Sequence, residues 1–159
     1  MKLAQLLQDS FEFVFWRSLL QAPPLDELLT KLIQFLSNGQ ELVPATTEEK
    51  ISRSLDYLRS HRCLIVLDNL ETILGSGEGT FHSRTGYYRT EYEDYGRLLK
   101  RVGETSHQSC LVLTAREKPS EVASLEGVTL PVRSWHLKGL QAVEGKELLK
   151  AKSFLNGSQ

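Results

Sequence analysis

Apolar and polar positions alternate along this chain with two distinct periods, and the switches between them outline the elements. Leu3, Leu6 and Leu7 lie on one face of a helix. The run FEFVFWRSL (11–19) is aromatic and β-branched, which predicts a strand. Pro23-Pro24 ends it. Leu25, Leu28, Leu29, Leu32, Ile33 and Leu36 then form a helical stripe that Asn38-Gly39 stops. Thr46 and Glu49 have capping-box spacing and open a second helix with Ile51, Leu55 and Leu58 on its inner face. Residues 63–67 are apolar on both faces, as in a strand covered on both sides. Residues 75–90 hold four glycines and no periodicity, which predicts a long loop. Tyr95, Leu98, Leu99 and Val102 mark another helix, and SCLVLTAR (109–116) is a second buried-type strand. A short helix is predicted over 119–125, a weaker strand over 130–140 and a last helix over about 141–155. Strands alternating with helices predict an α/β fold with a parallel sheet.

Composition narrows the function classes. The chain has 159 residues, enough for one domain of ordinary size, and a formal net charge of −1. That balance lacks the basic footprint of a nucleic-acid binder. Arg84, Tyr87, Tyr88 and Arg89 interleave basic and aromatic residues, but Glu91, Glu93 and Asp94 cancel their charge. No apolar run reaches the roughly 20 residues a membrane span needs, and no secretory leader opens the chain. A cytoplasmic setting is expected. Cys63 and Cys110 are expected to be buried strand thiols, and Trp16 and Trp135 to be core residues. The four histidines show no metal-ligand spacing.

The candidate chemistry sits where the greasy strands end. Asp68 closes CLIVLD, and in open α/β sheets ligands gather at the carboxyl ends of the strands. A carboxylate there suits a hydrated Mg²⁺. Capping of the turn after the strand is the plainer role for Asp68. The other strand ends in Thr114 and Arg116, and a guanidinium suits a terminal phosphate. Pairing with a nearby acid such as Glu117 is the plainer role for Arg116. The functional reading requires the two strands to be neighbours running in the same direction.

FEFVFWRSL, APPLDELL, RCLIVLDNLETIL, YGRLLKRVGETSHQSCLVLTAREKP and LKGLQAVEGKELL, in this order, resemble the nucleotide-binding domain of NB-ARC-type signal-transduction ATPases of the STAND class. The similarity is greatest to the cyanobacterial type with WD-repeat or other repeat arrays downstream. It implies a P-loop NTPase-like parallel sheet with flanking helices. On this pattern residues 1–140 form a partial nucleotide-binding domain and 141–159 the start of a helical lid. Asp68 matches the Walker B acid that handles Mg²⁺ through water. Asn69 stands where many relatives carry a second acid, and Glu71 is the substitute catalytic candidate, acting through a water. Thr114 and Arg116 match the strand end that meets the terminal phosphate.

The family's phosphate loop, G-x-x-x-x-G-K-[ST], does not occur in the 159 residues. GSGEG (75–79) lacks the lysine and follows the wrong strand. The chain is therefore expected to begin just after that loop, to lack the family's first strand, and to bind ATP or ADP weakly or not at all by itself. The missing strand would lie beside 109–115 and leave a central sheet edge exposed. Each unpaired buried backbone group costs about 1–3 kcal/mol, so marginal stability is expected unless the last strand slides across. The alternative to an ATP/ADP switch part is a non-catalytic module that engages a protein partner, or a second copy, through that edge.

Overall fold

The computed structural model describes residues 8–75, 86–127, 129 and 131–139. Among these residues the strands and α-helices follow in the order β1 (Phe13–Ser18), α1 (Leu25–Leu36), α2 (Thr47–Ser60), β2 (Cys63–Asp68), α3 (Glu93–Glu104), β3 (Cys110–Leu113) and α4 (Ser120–Leu125). The strands form one parallel sheet in the order β1-β2-β3. Phe13 pairs with Cys63 and Ser18 with Asp68, while Leu64 pairs with Cys110 and Leu67 with Leu113. The expected neighbouring, co-directional pair of strands is present.

Helix boundaries follow from local chemistry. Thr46 caps α2 by accepting from the Glu49 N–H at 3.3 Å, and the Glu49 carboxylate accepts from the Thr46 N–H at 3.2 Å. α1 stops at Asn38 and Gly39, both left-handed (φ 52° and 72°).

Stepping through the sheet in one direction with right-handed crossovers places the connecting helices on one face. That face carries Phe15, Ile65 and Leu67, and α1, α2 and α3 bury their apolar stripes against it. Leu64 and Val66 point to the opposite face and are also buried. Beside them Trp16 keeps 38% of its surface exposed, so it is not the core residue the sequence suggested.

Three further expectations change. Residues 131–139 form no strand. Only Val132 makes a bridge, to Glu126. Trp135 and Leu137 there are 81% and 87% exposed, because no neighbouring strand among the described residues satisfies this backbone. Cys63 is buried as expected, but Cys110 is exposed at the start of β3. No strand slides across to the other side of β3 among the described residues. The first and last predicted helices, the lid segment and GSGEG beyond Gly75 lie outside the described residues. From Gly86 the described chain returns to the core: Tyr88 bridges Leu74 and packs with Tyr92 against it.

Candidate functional site

The parallel register brings the carboxyl ends of all three strands to one edge. Asp68 ends β2, opposite Ser18 at the end of β1. Asn69 follows in a left-handed conformation (φ 63°, ψ 43°), which turns the chain into a short 3-10 helix, Leu70–Ile73. Asparagine accepts this geometry with little strain. Its Oδ1 accepts a hydrogen bond from the Ser18 hydroxyl at 3.0 Å.

Thr114 locks the Asp68 turn from the other side. Its hydroxyl donates to Asp68 Oδ1 and accepts from the Asn69 N–H at 3.1 Å. Its backbone N–H donates to the Leu67 carbonyl at 3.1 Å, and its carbonyl accepts from the Leu70 N–H at 2.9 Å. Asp68 is half-buried, and its second oxygen has no hydrogen-bond partner among the described residues.

Arg116 lies two residues beyond, with an exposed guanidinium. Its Nε is 3.5 Å from Glu71 Oε1. The sequence suggested Glu117 as its plain partner, and the 3-10 turn brings Glu71 there instead. The four candidates thus form two linked pairs, Asp68 with Thr114 and Glu71 with Arg116.

Ser18 and the bracketing role of Asn69 were not apparent from sequence. A serine closing a strand carries no periodic signal, and only the register across β1 and β2 puts it beside Asp68.

One carboxylate flanked by two hydroxyls suits Mg²⁺, which keeps most of its water and needs only one or two protein carboxylates. Among the described residues no group of three or more His, Cys, Asp or Glu side chains forms a closed metal cage. Outer-sphere capture through Asp68 is the metal chemistry this donor set fits.

A returning segment, residues 86–89, ties the turn after Asn69 to the start of α4. The Gly75 N–H donates to the Tyr87 carbonyl at 2.7 Å, and the Arg89 N–H to the Ile73 carbonyl at 3.1 Å. The Arg89 guanidinium holds the Thr72 carbonyl at 2.9 Å. On the other side the Ser120 N–H donates to the Gly86 carbonyl at 2.9 Å. Gly86 (φ 85°) permits this approach, since a Cβ there would stand 2.4 Å from the Lys118 carbonyl oxygen. Tyr88 is packed against Gly96 and Glu121, and burial raises its phenol pKa well above the usual range.

No protein-family model matches the chain. The chain is similar to an uncharacterized WD repeat-containing protein of Nostoc sp., with 51% identity over 147 residues. The match takes in 92% of this chain but 11% of that protein, so the chain corresponds to a small part of a much longer repeat-containing polypeptide.

Proposed function

We propose that this chain is part of an ATP/ADP switch domain of the STAND signalling type. In this reading Asp68 handles Mg²⁺ through water and Arg116 meets the terminal phosphate. The observation that carries it is the convergence of an acid and an arginine at the ends of two adjacent parallel strands, with Thr114 bonded to the acid. The WD repeats of the long Nostoc protein accord with it, since the resemblance is to switch ATPases with repeat arrays.

Each residue's part follows from its bonds. Thr114 fixes one oxygen of Asp68 and leaves the other to accept from hydration water. Thr114 therefore acts mainly as a positioning residue. Ser18 and Asn69 hold the turn so that Asp68 keeps its aim. Glu71 is engaged by Arg116, which makes it a weak choice for a base. Bound Mg²⁺ would supply charge neutralisation on the phosphates.

The test is titration of ATP and ADP into the chain alone and into the chain joined to an upstream segment bearing G-x-x-x-x-G-K-[ST]. Tight binding is expected only for the joined polypeptide, and it is lost in Asp68→Asn and Arg116→Gln. A folded joined polypeptide that ignores both nucleotides overturns the proposal.

A second reading, a module that binds a protein by strand addition, is favoured by the side of β3 that no strand among the described residues covers and by the exposed Trp135 and Leu137. Concentration-dependent association in light scattering supports it, and a monomer at all concentrations counts against it.

A further inference from the structure

We infer that Glu71 is a built-in counter-ion for Arg116 that competes with a phosphate ligand for the guanidinium. This rests on the nucleotide reading above and adds regulation to that site. Arg116 has 87% of its side chain exposed, yet it lies over Glu71, which is only 25% exposed. Glu71 is the acid paired with Arg116 among the described residues, although Glu117 is its chain neighbour.

The pairing is built by the backbone. Glu71 sits in the Leu70–Ile73 turn, whose Leu70 and Ile73 side chains are fully buried. That turn is bonded to Thr114 on one side and to Arg89 on the other. The chain after Arg116 is held in turn by the Ser120 bond to Gly86. Arg89 therefore fastens the turn that carries Glu71, while the exposed Arg116 side chain is left free to swing.

The physical consequence is an exchange of anions. A carboxylate carries one negative charge, and a terminal phosphate carries more charge and more acceptor oxygens. The phosphate wins, but it must first displace Glu71. Glu71 thereby sets a threshold on phosphate engagement and takes Arg116 back when the phosphate leaves. An exposed ion pair is weak, so the threshold is modest, about two- to fivefold in apparent affinity.

The test follows the Arg116 Nε resonance by NMR while MgATP or inorganic triphosphate is added to the chain at up to millimolar concentrations. Wild type is compared with Glu71→Gln and with Glu71→Ala, which removes the acceptor altogether. Both variants are expected to reach half-response at two- to fivefold lower probe concentration. Equal half-points in a folded variant and wild type overturn the proposal and leave the nucleotide reading standing. An Arg116 resonance that moves with MgATP but not with triphosphate means that the base and sugar, and not phosphate competition, drive the response, which also overturns it. A resonance that stays still with both probes in all three proteins overturns this proposal and leaves the nucleotide reading standing, because that reading is tested on the joined polypeptide.

Discussion

Asn69 serves geometry at a position where an acid would serve charge. Its backbone is left-handed, and its side chain accepts from Ser18. Replacement by glycine removes the side-chain bond but keeps the turn unstrained. Replacement by alanine removes the same bond and adds about 1–2 kcal/mol of backbone strain. Urea unfolding is therefore expected to rank wild type above Asn69→Gly and Asn69→Gly above Asn69→Ala, although alanine normally outperforms glycine elsewhere. The reverse order would mean that the turn relaxes out of the left-handed region. The strand ends that carry Asp68 and, three residues past Leu113, Arg116 were legible in the sequence because an apolar run leads to each. The links among Ser18, Asn69, Glu71 and Thr114 were not, because they cross strands and depend on a turn whose shape no periodicity encodes.

At the level of elements, the join between α1 and α2 is polar where their first turns meet. Lys50 is buried, and its ammonium donates to Asp26 Oδ1 at 2.6 Å, beside a Thr47 hydroxyl at 3.2 Å. Asp26 also lies in the first turn of α1, where the helix dipole favours a negative charge. Asp26→Ala strands the ammonium and is expected to cost about 1–3 kcal/mol. Adding Lys50→Met should recover most of that loss, because an apolar side chain then fills the same space. A double-mutant cycle by urea unfolding measures the coupling. Additive losses would show that Lys50 finds water or another acceptor when Asp26 is gone. These helices could be read in advance from their stripes and from the Thr46–Glu49 cap. The strand expected over 130–140 could not, because apolar residues make a strand only when a neighbour pairs with it. Pairing is a property of the assembled sheet, and among the described residues it stops at β3.

Across the whole molecule, ion pairs and hydrogen bonds hold several carboxylates ionised below their ordinary range. Glu126 is held at about 2 by Lys118 and by Ser134, whose backbone N–H it accepts at 2.8 Å. The same direction holds for Asp26 through Lys50, Glu12 through His61, Glu41 through Arg53 and Glu49 through Thr46. A carboxyl whose pKa is lower in the folded chain favours folding at pH above its unfolded value. That contribution disappears as the pH falls. Stability is therefore expected to be level near neutrality and to decline from the ordinary glutamate value of 4.5 toward 2, where Glu126 protonates. Urea midpoints recorded across this range check the sign, and a rise on acidification contradicts it. Added salt should shrink the effect, because these groups face water.

The register of the sheet also governs timing. β1 can pair only once Cys63–Asp68 exist, and β3 lies as far again along the chain. During synthesis the apolar Phe13 and Phe15 therefore emerge well before any strand that could receive them, and β1 waits as a bare template for wrong partners. Long closures of this kind slow assembly. α1, formed from local contacts, is the segment best placed to shelter β1 during the delay, and refolding of the intact chain should lag behind that of a helical bundle of equal size.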